Sequence, residues 1–102
     1  MVPDEPLSDH EIERRLAQLT GWSRAGDEIT KTFSHTYHEC LHLAMYVGAK
    51  AREIGHHPDI DIRWTTTRWA LSTHSEGGLT QLDVELAHRI SQAAARLAAT
   101  AK

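Results

Sequence analysis

Two adjacent histidines, His56 and His57, stand between Gly55 and Pro58. Glycine at such a place ends a helix in the left-handed conformation, and proline forbids its resumption. The imidazoles of Gly55-His56-His57-Pro58-Asp59 are therefore set on a fixed corner. A third histidine, His74, and a carboxylate, Asp83, follow downstream. Neutral imidazole takes a proton and imidazolium gives one, both near neutral pH, and a neighbouring carboxylate holds an imidazole in one tautomer. Three histidines and an aspartate thus suit removal of a proton from one atom and its delivery to another, with no cofactor. Plainer roles exist for the single residues: Asp83 caps its helix, and His74 is a structural hydrogen bonder at a strand end. The doublet resists that treatment, because adjacent side chains point in different directions and need two separate structural reasons.

The chain holds eight histidines, and two further arrangements could use them. His38-Glu39-Cys40-Leu41-His42 satisfies H-E-x-x-H, in which two imidazoles one helical turn apart bind zinc and the glutamate acts as base. Here it falls in the first turns of its predicted helix with no third ligand in matching spacing, and both imidazoles also fit a polar helix face. Zinc held by His56, His57 and His74 is the other arrangement, but adjacent histidines rarely converge on one ion. The site is therefore expected to hold no metal. His10, His35 and His88 are expected in solvent. Cys40 is expected to be inert.

The elements that must position these groups follow from periodicity. Residues 1–7 read as a flexible leader and 8–102 as a single domain. Ser8 with Glu11 forms a capping-box pattern ahead of Ile12, Leu16 and Leu19, a helical stripe ended by Gly21. Ala25-Gly26-Asp27 is a turn between a short extended piece and the strand Glu28–Phe33, interrupted by Lys31 on its apolar side. Leu41, Ala44, Met45, Val47 and Ala51 predict a helix over 37–54 that buries that face. Ile60, Ile62 and Trp64 alternate with polar residues and predict a strand with one buried face; Trp69, Leu71 and Thr73 predict its neighbour. Thr80 caps the last helix with Asp83 at the capping-box position, and Leu82, Leu86, Ile90, Ala93 and Leu97 form its stripe. The order α-β-β-α-β-β-α favours an α+β fold, a four-stranded antiparallel sheet with helices packed on one face.

Composition narrows the class. The 102 residues fit one domain, and a net charge of −3 without a basic patch argues against nucleic-acid binding. One cysteine permits no internal disulfide, the acidic N-terminus is no signal peptide, and no apolar run spans a membrane. The expected location is cytoplasmic.

His56-His57-Pro58-Asp59, an aromatic (Trp64) six residues after the proline, Leu71-Ser72-Thr73-His74, Gly77-Gly78-Leu79-Thr80 and then Asp83 resemble the pterin-4a-carbinolamine dehydratase family, as does Gly21-Trp22. The similarity covers residues 8–97. It implies dehydration of 4a-hydroxytetrahydropterin to the quinonoid dihydropterin, which recycles the pterin cofactor of aromatic amino-acid hydroxylases, and assembly into homodimers or homotetramers. Carried over by residue, His56 and His74 are the acid–base pair, His57 assists, and Asp83 orients a histidine. Thr73, Ser75, Glu76 and Pro58 hold the pterin, with Trp22 and Trp64 as candidate flanks. Arg52 departs from the pattern, standing where the family is usually acidic, four positions before the doublet. The rival readings are a non-catalytic pterin-binding or dimerisation module and a zinc protein using His38 and His42.

Overall fold

The computed structural model describes residues 5–73 and 76–100, the side chains of 98–100 excepted. His74 and Ser75, both expected in the site, lie outside the described residues. The elements are α1 (Asp9–Leu16), β1 (Ser23–Ala25), β2 (Glu28–Ser34), α2 (Tyr37–Ile54), β3 (Asp59–Arg63), β4 (Thr66–Leu71) and α3 (Gln81–Thr100). The strands form one antiparallel sheet in the order β1-β2-β4-β3. The expected α+β order and topology are those observed.

The core lies between the sheet and the helices. Trp69 and Leu71 of β4 and Ile29 of β2 meet Leu43 and Val47 of α2 and Leu86, Ala87 and Ile90 of α3. The Trp69 indole N–H donates to Thr67 Oγ1 at 2.8 Å, so its one polar atom is satisfied inside. Lys31, the apparent break in the apolar side of β2, lays its ammonium 4.5 Å from the Phe33 ring centroid and donates to the Thr20 carbonyl. Its stem covers apolar surface while its charge finds partners.

Three expectations are corrected. Helix α1 stops at Leu16 and residues 17–21 form tight turns, with Glu11 engaged by Arg14 and Arg15. In α2 the buried face is Cys40, Leu43, Val47 and Ala51, while Leu41 is exposed and Met45 is 78% exposed. Apolar residues surround this helix, so period alone selects no single stripe. In β3 Ile60 and Ile62 are partly open and Trp64 is 83% exposed, because β3 is the sheet's outer strand and all five of its residues are exposed. The chain before α1 is attached at its end: the Leu7 N–H donates to the Leu79 carbonyl, and Pro6 bridges Thr80.

Candidate active site

Helix α2 ends at Gly55, whose φ of 68° is the left-handed conformation expected of it. The His56 N–H donates to the Ala51 carbonyl and the Gly55 N–H to that of Arg52, a Schellman end that fixes the backbone leading into His56. Pro58 then delivers the chain to β3. In the β3–β4 register Asp59 pairs with Ala70. Extended by three residues, that register brings His56 level with Thr73, just past β4. The last wall is the start of α3. There the Thr80 hydroxyl accepts the Leu82 N–H at 3.2 Å while Asp83 Oδ2 accepts the Thr80 N–H at 2.9 Å. Thr80 thus caps the helix as expected from the sequence, through the Leu82 N–H, and Asp83 makes the reciprocal bond of a capping box.

Asp83 also does more than cap. Its side chain is 0% exposed, and its Oδ1 lies 2.5 Å from His56 Nε2. Its Oδ2 additionally accepts the Thr73 hydroxyl at 2.7 Å. A buried carboxylate is tolerated when its oxygens are hydrogen-bonded, and both oxygens of Asp83 are. The first turn of α3 adds the positive end of a helix dipole. An ionised carboxylate only accepts, so against an ionised Asp83 it is Nε2 of His56 that would carry the hydrogen between them. In that tautomer Nδ1 of a neutral imidazole is the lone-pair nitrogen, the atom able to take a proton. The His56 ring is 11% exposed, largely enclosed yet not sealed.

The remaining site residues are spread differently. His57 is exposed beside His56, Pro58 is half-buried, and Glu76 is exposed. Thr73 is buried, its carbonyl accepting the N–H groups of Glu76 and Gly78. Trp22 sits in the core, edge-on to Phe33 and donating its indole N–H to Ser91 Oγ at 2.8 Å. Trp64 follows the last residue of β3. At the usual strand rise of about 3.3 Å per residue it stands roughly 17 Å from Asp59, and further from the histidines. The structure thus brings His56, Thr73 and Asp83 together and leaves both tryptophans elsewhere within this chain.

The competing histidines have other surroundings. His38 and His42 are exposed on α2. Glu39 between them accepts the Thr36 N–H at 2.8 Å in a complete capping box, and that bond holds its carboxyl below the usual range. Its carboxylate therefore faces the helix start and not a metal. Among the described residues no group of three or more histidine, cysteine or acidic side chains is gathered to hold an ion. His35, expected in solvent, is instead buried and stacked on Phe33 at 6.3 Å, drawn in where its N–H ties the end of β2 to the Thr65 carbonyl.

Sequence reasoning missed the inward use of two hydroxyls, those of Thr73 and Thr80, which lie 3.0 Å apart. The T-x-x-D spacing of the α3 cap was the available signal for Thr80. None existed for Thr73, because the contact between residues 73 and 83 needs the fold.

Comparison with known proteins places the chain in a family. A protein from Roseiflexus sp. (strain RS-1), provisionally named a pterin-4-alpha-carbinolamine dehydratase, is 49% identical over 87 residues, covering 84% of this chain and 94% of that one. A Nocardia farcinica protein of the same provisional name is 46% identical over 91 residues, covering 88% and 96%. The solved transcriptional coactivator/pterin dehydratase from Brucella melitensis superposes with a TM-score of 0.85 at 26% identity, over 88% of this chain and 99% of that one. A pterin dehydratase-like RuBisCO assembly factor of the alpha-carboxysome shares the fold, at a TM-score of 0.59 and 20% identity over 72% and 86%. The model of the pterin 4 alpha carbinolamine dehydratase family matches residues 5–93, which include the histidine corner, Thr73, Thr80 and Asp83, and the chain belongs to that family.

Proposed function

We propose that the protein dehydrates a 4a-hydroxytetrahydropterin to the quinonoid dihydropterin by histidine acid–base catalysis. The C4a–O bond breaks, its oxygen gains a proton and departs as water, and a ring N–H loses its proton as its electron pair closes a C=N bond. Hydroxide is a poor leaving group, so protonation lowers the barrier; a positioned proton transfer of this kind contributes about 10²–10⁴-fold.

The observation that carries the reading is the contact of His56 with the buried Asp83 carboxylate at 2.5 Å. With Nε2–H committed to the carboxylate, Nδ1 of His56 takes the ring proton, and the imidazolium so formed lies against a negative charge. His74 supplies the proton to the departing oxygen, and His57 assists from the exposed side of the corner. Pro58 and the segment 73–76, with Ser75 and Glu76, hold the pterin edge. The protein acts in the cytoplasm as a homodimer or homotetramer, in support of an aromatic amino-acid hydroxylase. The exposed apolar side chains of β3 and α2 support assembly.

The purified protein should accelerate loss of the 4a-hydroxypterin signal in a coupled hydroxylase assay, and a rate no higher than the spontaneous one defeats the proposal. His74→Ala should lower the rate by at least about tenfold while the protein stays folded. One observation favours a second reading, pterin binding without turnover: Arg52, exposed in the last turn of α2, puts a positive charge where the family is usually acidic. Saturable pterin binding with only the spontaneous rate would select it.

A further inference from the structure

We infer that Thr73 is a positioning residue for His56, acting through Asp83, and that its hydroxyl serves the site from behind without touching the pterin. The inference rests on the dehydratase reading for its kinetic consequence but on hydrogen bonding alone for its structural one.

A count of donors and acceptors fixes the direction of every bond. Thr73 Oγ1 lies 2.7 Å from Asp83 Oδ2, and a carboxylate accepts, so the one hydrogen of Thr73 points there. Thr73 Oγ1 also lies 3.0 Å from Thr80 Oγ1. With the Thr73 hydrogen already engaged, Thr80 is the donor in that contact. Thr80 Oγ1 in turn accepts the Leu82 N–H. The result is a one-way chain from Leu82 N–H through Thr80 and Thr73 to Asp83 Oδ2, with His56 Nε2–H arriving at the other oxygen. Bonds in such a chain polarise one another, and the buried location strengthens each. The Thr73 carbonyl accepts from Glu76 and Gly78. Neither its hydroxyl hydrogen nor its carbonyl is therefore left facing outward.

The function of this chain is to fix the carboxylate plane. The Thr80 N–H alone would hold Oδ2 at a single point and leave the group free to swing about it. The Thr73 hydroxyl supplies a second point, so Oδ1 is aimed at His56. Removing it takes the acceptor from the Thr80 hydroxyl, leaves the Thr80 and Leu82 N–H bonds of the cap in place, and loosens the direction in which Asp83 faces the imidazole. The tautomer of His56, and with it the availability of Nδ1, then loses its constraint.

Thr73→Val keeps the side chain's shape and deletes the donor to Asp83 together with the acceptor of the Thr80 hydroxyl. With ¹⁵N-histidine labelling and the His56 signal assigned from His56→Gln, the wild-type protein should show a single Nε2–H tautomer. Thr73→Val should show a mixture of tautomers at His56, with kcat lowered roughly tenfold and KM within about twofold. Thr73→Ser, which restores the donor, should recover most of both. Thr73→Ala deletes the same hydroxyl should the valine variant not fold. An Nδ1–H tautomer in the wild-type protein overturns the inference, as does a wild-type His56 signal in Thr73→Val or a serine variant as impaired as the valine one. If the wild-type protein shows no turnover, the dehydratase reading fails, and the His56 signals alone decide the role of Thr73.

Discussion

His56 Nε2 and Asp83 Oδ1 meet at 2.5 Å although 27 positions separate the two residues in the chain. The contact joins the end of α2 to the start of α3, so the tautomer of one imidazole depends on how two helices terminate. Asp83→Asn keeps the shape and replaces an acceptor by a donor. Its amide nitrogen must then face either His56 Nε2–H, opposing donor to donor unless His56 changes tautomer, or the Thr80 N–H, opposing donor to donor in any tautomer. Asp83→Asn should lose about 1–3 kcal/mol of stability and at least about tenfold in kcat, read by denaturant unfolding and the coupled assay. A wild-type rate would remove Asp83 from the mechanism.

Acid should weaken the α1 surface in a defined window. Hydrogen bonds from Arg14 and then Arg15 hold the Glu11 carboxyl at about 2, below its ordinary 4.5. The folded value lies below the unfolded one, so the contribution of Glu11 is complete above pH 4.5 and is lost as pH falls towards 2. The stability difference between wild type and Glu11→Gln should therefore be present at neutral pH and vanish across that window. Because the group lies at the surface, added salt should shrink it.

Cys40 should be silent in the native state. Burial in the core raises its thiol above the ordinary range, and the thiolate is the reactive form. Thiol titration of the folded protein should find no fast-reacting group, and one equivalent should appear on unfolding. Rapid modification of the native protein would contradict the packing of α2.

Trp64 occupies the turn between β3 and β4 at φ 51°, a left-handed conformation that burdens a bulky side chain. Its ring is largely in solvent, so little packing offsets the strain. Asparagine tolerates this conformation, and Trp64→Asn should gain about 1 kcal/mol, seen as a higher denaturant midpoint with an unchanged slope. A lower midpoint would show that the indole makes a stabilising contact in an assembled form.

Much of this arrangement was legible from local signals. Gly55 and Pro58 marked the corner, Thr80 and Asp83 marked the cap, and alternating strands between helical stripes gave the sheet. Each of these rests on neighbours within about four residues. What period could not supply was which side of an element is covered. Met45 and Trp64 obey their patterns and remain outside, because α2 carries apolar residues all round and β3 lies at the edge of the sheet. The inward turn of Thr73 was invisible for a related reason: its partners on α3 are seven and ten residues away, and only the folded chain brings them within reach.

The cap of α3 has a dynamic consequence. Amide protons in a helix's first turn exchange with solvent whenever that turn frays. Here the turn cannot fray without disturbing the contact of Asp83 with His56, since the two oxygens of one carboxylate serve the imidazole and the cap. Any molecule that settles against the imidazole and favours its protonated form tightens that grip. The slowing of a few amide protons near residue 83 would thus report occupancy of the corner, making the start of the helix a built-in gauge of whether the site is full.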